Sequence, residues 1–209
     1  MSEVSGIRVW ANEISQLFSA CRDKEAQESD VYGKTVDFLR SIFGSKLVIT
    51  NNQVLLLKIM SFINEGKSYL GYSASDADIV MYPLGQEGPD IKSLDKVLHR
   101  EGQYGLGKWN GVYPAVIGQV IVSTQTGKLQ LENMKAQAWR NMFPRALIIF
   151  MAGPYREKFD IRFDREMSYF DLVLVGFENR KECEKNLKSM QNMIESHLRV
   201  NWFDDLQQG

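Results

Sequence analysis

The chain has 209 residues, of which 44% are hydrophobic and 24% are charged, and its formal net charge at pH 7 is −1. These values argue against a disordered chain, and the length predicts a single domain, residues 1–209, that buries a sizeable core. No apolar run is long enough to cross a membrane, and charges among the first twenty residues argue against a secretory signal. We therefore expect a cytoplasmic protein.

Few side chains suited to metal or redox chemistry are available. The chain has two cysteines, Cys21 and Cys183, and two histidines, His99 and His197, and none of them has the spacing of a zinc or disulfide motif. His197 falls near the apolar stripe of a predicted helix, which favours a packing role. We expect reduced cysteines in an intracellular compartment, with no metal, no cofactor and no catalytic residue.

The N-terminal part, residues 6–66, is predicted to be helical. Apolar residues recur at steps of three and four from Ile7 to Cys21, which predicts a helix over about 6–23, and a second amphipathic helix ends at Gly44. The apolar stretch 47–63 is compatible with a hairpin or with a strand followed by a helix. We favour the helix, because Asn52 is a suitable N-cap and Gly66 a suitable C-terminal stop.

Residues 67–111 are predicted to be rich in loops, with a short strand at Ile79–Tyr82. The alternating pattern of 116–122 and the turn signal Thr126-Gly127 then predict a hairpin. A helix at 133–143, a fully buried strand at 146–151 and a strand, turn and strand at 159–175 complete the expected sheet.

The clearest element is a C-terminal helix that begins at Asn179, with Glu182 as its capping-box partner and an apolar stripe from Cys183 to Leu198. The sequence thus predicts an α+β fold. Its antiparallel β-sheet, a hairpin plus a meander, lies in residues 112–209 and packs with the helical N-terminal region and the long C-terminal helix.

Two fragments share residues with catalytic motifs. The segment Gly102–Lys108 matches the G-x-x-x-x-G-K part of a phosphate-binding loop, but Trp109 stands where a hydroxyl ligand of magnesium is required. Pro89-Asp90-Ile91-Lys92, with Asp76 and Asp78 nearby, contains the PD and D-x-K fragments of metal-dependent nucleases on overlapping residues, so one lysine would have to serve both. A turn is the better account. A metal-dependent hydrolase with an unrecognised site is the last of three hypotheses.

Basic and aromatic side chains are interleaved in two segments, the glycine-rich residues 100–113 and residues 135–165. Residues 135–165 contain seven basic residues against three acidic ones. Basic residues that follow phosphates beside stacking aromatics are the minimum equipment for binding single-stranded nucleic acid. The candidate residues are Arg100, Lys108, Trp109, Lys135, Arg140, Arg145 and Arg156.

Large aromatic residues near the two ends of the chain are candidates for self-association. Trp10 lies on the first predicted helix, and Trp202 and Phe203 follow the last one. Terminal aromatics fold back onto their own chain more often than they dock on a neighbour. Our first hypothesis is a non-enzymatic structural protein that self-associates into a homo-oligomer, in the manner of the nucleocapsid or matrix proteins of viruses. Binding of single-stranded RNA is the second hypothesis.

Overall fold

The computed structural model describes residues 3–64, 67–84, 113–122, 126–153 and 167–203. Within these residues the chain forms four α-helices and one five-stranded sheet, so the general α+β prediction is confirmed. The helices are α1 (Glu3–Arg22), α2 (Glu28–Phe43), α3 (Thr126–Met142) and α4 (Arg180–Leu198), and a π-helical turn, Arg199–Phe203, follows α4. The strands are β1 (Leu47–Asn64), β2 (Lys67–Pro83), β3 (Val116–Ile121), β4 (Leu147–Ala152) and β5 (Leu172–Val175).

The sheet is mixed, with the strand order β1-β2-β3-β4-β5. β1 and β2 form a long antiparallel pair, β2 pairs antiparallel with β3, and β3, β4 and β5 run parallel. The prediction of an antiparallel sheet is therefore wrong for the C-terminal half. Every residue of β3 and β4 is buried, as expected for parallel strands that are covered on both faces.

Helices cover both faces of the sheet. On one face, α1, α2 and α4 enclose a core that includes Ile14, Phe38 and Leu187. On the other face, α3 packs the fully buried Trp139 against a second core that includes Ile148. Each buried aliphatic or phenyl side chain of these cores contributes about 1.5 to 3 kcal/mol. The sheet is therefore the middle layer of the described fold.

The predicted N-terminal helices are confirmed, with changes at their ends. α1 spans Glu3–Arg22 and α2 begins at Glu28, ahead of its predicted start, and Gly44 follows its last residue as expected. The helix predicted at 133–143 also exists, as the C-terminal part of α3. No helix in the described part of the chain is both long and apolar enough to cross a membrane.

α4 begins as the sequence predicts, at a side-chain cap. The Asn179 side chain accepts hydrogen bonds from the backbone N–H groups of Lys181 (3.0 Å) and Glu182 (3.3 Å), and the predicted apolar stripe is buried. The predicted return bond from Glu182 is replaced, because the backbone N–H of Asn179 donates to the carbonyl of Gly176 at 3.1 Å. Half of the predicted capping box is therefore correct.

Residues 47–64 form a strand, so the helix favoured there is wrong. β1 pairs with β2 from Leu47 opposite Pro83 to Asn64 opposite Lys67. This ladder supplies partners that the local apolar pattern cannot reveal. The length of the apolar run favoured a helix, and β1, with 18 residues, is about three times as long as a common strand.

Three further predictions change. Residues 67–83, predicted as loop-rich, form β2, which includes the predicted strand Ile79–Tyr82. The predicted hairpin is wrong, because Thr126 begins α3 and not a second strand. The next strand, β4, is parallel to β3, and parallel neighbours must be joined by a crossover, which α3 provides. The remaining loop-rich residues, 85–111, and the strand predicted at 159–163 lie outside the described residues. β5 is parallel to β4, so it does not complete a meander with that strand.

The long β1–β2 pair divides into a base and a distal part. β2 pairs with β3 only at Ile79, Val80 and Met81. Beyond these residues the ladder continues over 53–64 and 67–77, where each strand has only the other as a strand neighbour in the described sheet. We call residues 53–64 and 67–77 the ribbon, and the place where β2 leaves β3 the fork.

The backbone at the fork is irregular at Asn52. Asn51 pairs with Ile79 and Gln53 with Ala77, and Asn52 between them has a φ of 52°. Asparagine tolerates this left-handed region better than most residues that carry a Cβ. The residue predicted as a helix cap is therefore an irregular position of a strand.

We expect Asn52→Val to lower the free energy of unfolding by about 1 to 2 kcal/mol, because a β-branched side chain is strained at positive φ. Asn51→Val is the matched control, since Asn51 is also exposed but has a negative φ; it should change stability by less than about 0.5 kcal/mol. Urea denaturation of both variants measures the difference. Equal losses in the two variants would contradict a backbone constraint at Asn52.

Candidate functional site

Four of the seven predicted nucleic-acid-binding residues are not part of the described structure. Arg100, Lys108, Trp109 and Arg156 lie outside the described residues, as does Asp90 of the nuclease-like fragment. Their roles stay predictions.

Lys135 and Arg140, which the structure describes, are engaged within the chain. The Lys135 ammonium lies 3.1 Å from a carboxylate oxygen of Glu132. The Arg140 guanidinium donates to the carbonyl of Ala146 at 3.0 Å and to the carboxylate of Asp171 at 2.5 Å. The same oxygen of Asp171 accepts the backbone N–H of Ile148 at 2.7 Å. Arg140 therefore joins the end of α3 to the starts of β4 and β5.

Arg145 holds the C-terminal turn. Its guanidinium donates to the carbonyl of Asn201 and lies over the ring of Trp202, 5.2 Å from the centroid. Trp202 is partly buried and packs against the core beneath α1, α2 and α4. This aromatic residue thus folds back onto its own chain. The side chain of Phe203 lies outside the described part of the structure.

Trp10 also contacts its own chain. Its ring meets Phe38 of α2 edge-on, with centroids 6.0 Å apart, and the ammonium of Lys34 lies 5.0 Å from its centroid. These contacts join α1 to α2. The self-association roles of Trp10, Trp202 and Phe203 stay predictions.

A polar cluster lies at the fork. One carboxylate oxygen of Asp78, on β2, accepts hydrogen bonds from the backbone N–H of Val120 and from the side-chain amide of Gln119, both at 2.7 Å. The N–H of Val120 belongs to β3, and a buried backbone donor needs a partner. The Asp78 carboxylate supplies that partner where the backbones of β2 and β3 separate.

Acidic groups outnumber basic ones in this cluster. Glu132 is buried on α3, and one of its oxygens is paired with Lys135. The other oxygen of Glu132 and the side-chain oxygen of Gln119 are buried without a hydrogen-bond partner among the described residues. An unsatisfied buried acceptor costs about 1 to 3 kcal/mol. The cluster is therefore short of donors.

The burial of Asp78 affects its ionisation. Burial first, and then the charges of Glu28 and Glu132, raise the pKa of Asp78 to about 7, against the opposing effects of the Val120 N–H and Lys135. Burial also raises the pKa of the nearby Tyr32, followed by the charges of Asp78 and Glu28. A carboxyl group shifted in this way exchanges its proton near neutral pH, which is frequent at functional sites and also in structural networks.

A second carboxylate accepts a backbone N–H group at the C-terminal end of β3. Glu28, at the start of α2, accepts the backbone N–H of Val122 at 2.8 Å and the ammonium of Lys128 at 3.1 Å. Both side chains of this ion pair are 37% exposed. The contact joins α2 and α3, which lie on opposite faces of the sheet, to the same strand end.

Catalytic and metal chemistry receives little support from the described residues. In residues 3–64, 67–84, 113–122, 126–153 and 167–203, no three histidine, cysteine, aspartate or glutamate side chains are placed to hold a metal ion. Burial lowers the pKa of His197, and its ring contacts the side chain of Asn201 at 3.2 Å. Burial raises the pKa of the Cys183 thiol to about 12, which removes the thiolate needed for reactivity.

The sequence indicates Asp78 only as a neighbour of Asp90, and it does not indicate Gln119 or Glu132 as site residues. A signal was present, because Asp78 directly precedes the apolar run Ile79–Tyr82 and Gln119 interrupts an otherwise apolar strand. Polar residues inside buried strands are normally paired. Which elements supply the partners cannot be deduced from that signal.

Similarity to known proteins does not add to these candidates. Comparison with protein-family models found no match, and comparison with curated protein sequences found none. Two features of the described residues call for a functional explanation. The fork holds an ionisable carboxylate in a strand ladder, and the ribbon leaves strand edges open.

Asp78 should make stability depend on pH. Its pKa is 3.8 in a free chain and about 7 in the folded one. The neutral form is thus favoured by folding, and the stability it contributes is complete below about pH 4 and lost as the pH rises to about 7. We expect the free energy of unfolding to fall by about 3 to 4 kcal/mol across this interval, relative to Asp78→Asn, which keeps an acceptor oxygen.

Urea denaturation at a series of pH values measures this dependence. Asp76→Asn is the control, because it removes an exposed carboxyl group two residues away. The wild-type chain and Asp76→Asn should share the same slope, and Asp78→Asn should be flatter. Parallel curves for the wild-type chain and Asp78→Asn would refute the assignment.

Arg140 should be important for stability. We expect Arg140→Met to lower the free energy of unfolding by about 2 to 3 kcal/mol, because the Ala146 carbonyl and the Asp171 carboxylate lose a charged donor. Arg199→Met, at an exposed position of the π-helical turn, is the control and should be nearly neutral. If Arg140→Met keeps full stability but loses RNA binding at low salt, the side chain serves a phosphate instead.

Proposed function

We propose that the protein is a non-enzymatic structural protein that functions by self-association into a homo-oligomer. The ribbon supports this proposal. Residues 53–64 and 67–77 form a two-stranded ladder with no third strand in the described sheet. A two-stranded hairpin alone is marginally stable in water, and its open backbone groups invite a further strand. A ribbon of this length is therefore suited to contact with another chain.

The sequence of the ribbon adds to the case. Its β1 part, residues 53–64, contains one charged residue, Lys58, among apolar residues of the leucine, isoleucine, methionine, valine and phenylalanine types. Such a composition is typical of strands that are covered by further protein. A second copy of the chain is always present at the concentration of the first, which makes it an available cover.

The other hypotheses gain no such support. Lys135, Arg140 and Arg145 have partners within the chain, so RNA binding has no described contact in its favour. The described residues also contain no metal-binding group for a hydrolase. A nucleocapsid-like or matrix-like role remains the specific form of the proposal that the sequence suggests.

Light scattering of the full chain tests the proposal, and a shortened ribbon locates the contact. Ile59 and Tyr72 are opposite each other in the ladder, and the backbone groups of Tyr72 face β1. Replacing Met60–Gly71 by Asn-Gly therefore closes a two-residue hairpin on that pair and leaves the base of the sheet intact. We expect the mass of the full chain to rise with concentration, and the shortened chain to associate at least about a hundredfold more weakly, a change of about 2.7 kcal/mol.

Val9→Ser and Val200→Ser are controls for a general loss of surface apolar groups, since these residues are 51% and 69% exposed and lie outside the ribbon. Both should associate like the original chain. Circular dichroism checks that the helices of the shortened chain are retained. A full chain that stays monomeric at every concentration would overturn the proposed function.

A further inference from the structure

The two outer edges of the ribbon differ, and the edge of β1 is protected near its base. The carbonyl of Met81 accepts the N–H of Ala115 at 2.8 Å, on the β3 side of β2. Ile49, which is opposite Met81 in the ladder, therefore directs its backbone groups to the outer edge of β1. There the Arg40 guanidinium donates to the Ile49 carbonyl at 3.1 and 2.8 Å. A side chain thus occupies the place of a further strand.

The edge of β1 is also protected within the ribbon. The ladder shifts register between Leu56 and Lys58, where β1 carries one extra residue. Lys58 is the single charged residue of the strand. Bulges and edge lysines are the means by which natural sheets prevent pairing with other chains. The β1 edge is therefore poorly suited to strand addition.

The edge of β2 carries no bulge, and its charged residues, Lys67 and Asp76, lie at the two ends of the ribbon and not in its middle. Its residues follow each other in the ladder without an insertion, and no proline occurs from Lys67 to Tyr82. Backbone groups alternate in direction along a strand, so the odd-numbered residues from Lys67 to Ala77 continue the phase of Met81 and point away from β1. β2 therefore presents a regular edge over the length of the ribbon.

The charges of this edge do not oppose its pairing with the same edge of a second copy. Between residues 67 and 77 the only charged residues are Lys67 and Asp76, which have opposite signs and lie at opposite ends. When two copies of such a strand run antiparallel, the Lys67 end of each lies beside the Asp76 end of the other. The pairing therefore brings no like charges together. Like charges that face each other across a strand pair would oppose the pairing of an edge with itself.

We infer that the β2 edge of the ribbon pairs antiparallel with the same edge of a second copy of this chain, around a two-fold axis close to Gly71. The inference rests on the proposed self-association and specifies its surface. The two ribbons then form a four-stranded sheet, which meets the requirement of three or more strands for independent stability. Nine residues of each β2, from 67 to 75, are paired, with about ten interchain hydrogen bonds.

The position of the axis follows from the alternation of the ladder. In a two-fold antiparallel pair, two residues that face each other must both direct their backbone groups toward the partner strand or both direct them away from it. Because these two kinds of residue alternate along β2, the axis passes through a pair of equivalent residues and not between two consecutive ones. At Gly71 it places the smallest residue on the axis and Leu70 of each copy opposite Tyr72 of the other. Aliphatic and aromatic residues form favourable cross-strand pairs. The contact is isologous, as in most homodimers.

A single cysteine on the axis tests this arrangement. Gly71→Cys is made in a Cys21→Ser background, where the buried Cys183 can stay. Opposite Cα atoms in a strand pair are about 4.5 to 5.5 Å apart, which a disulfide spans. We expect mild oxidation to link most of the Gly71→Cys protein into a disulfide dimer on a non-reducing gel.

Met60→Cys is the matched control, because Met60 is opposite Gly71 in the ladder but lies on β1. In the four-stranded arrangement the two copies of residue 60 are three strand spacings apart, about 14 Å, and should not form a disulfide.

A proline pair provides a second test that does not depend on oxidation. Ser73→Pro removes an outward N–H of β2 and leaves the bonds to β1 in place. Met60→Pro does the same on β1. We expect Ser73→Pro to raise the dissociation constant of the dimer at least about tenfold, and Met60→Pro to leave it within about twofold.

The outcomes separate the two proposals. If the full chain associates but Gly71→Cys forms no disulfide dimer and the two proline variants associate equally, the paired β2 edge is refuted while self-association stands. If the full chain is monomeric at all concentrations, both proposals fail.

Discussion

The hydrogen bond from the Val120 N–H to the Asp78 carboxylate is the contact on which the architecture depends. At this point β2 leaves β3, and a buried N–H of β3 loses its strand partner. The carboxylate of Asp78 replaces that partner, so β2 can continue into the ribbon without an unsatisfied donor in the core. The cost is a buried carboxyl group, whose pKa rises because of its burial first and of the charges of Glu28 and Glu132 second.

Carboxylates also accept backbone N–H groups at other strand ends of the sheet. Three carboxylates each accept a backbone N–H within a strand or directly after it, and also a side-chain donor: Asp78 with Val120 and Gln119, Glu28 with Val122 and Lys128, and Asp171 with Ile148 and Arg140. Each one fastens a second element to the strand that it caps. Arg140, which resembles a phosphate ligand in the sequence, therefore acts as the counterion of Asp171, and Lys135 acts in the same way for Glu132.

This pattern gives the ribbon its significance. Side chains close the margins of the sheet at β3 and β4, and Arg40 closes the base of the β1 edge. The β2 edge of the ribbon has no comparable protection within the described residues. Under the proposed self-association, this distribution of capping side chains separates a stable domain from an edge that a second chain can pair with. The fork places the titratable carboxyl group of Asp78 at the base of the ribbon.

The amino-acid sequence by itself determined the elements that have a strong local signal. The periodicity of α1 and α4, the Asn179 cap and the apolar run of β4 depend on neighbours within a few residues, and they were predicted correctly. The tertiary structure alone decided the state of residues 47–64, the direction of β3, β4 and β5, and the partners of Asp78, Arg140 and Trp202. In each case the deciding hydrogen bond or contact joins residues far apart in the chain, which no local pattern encodes.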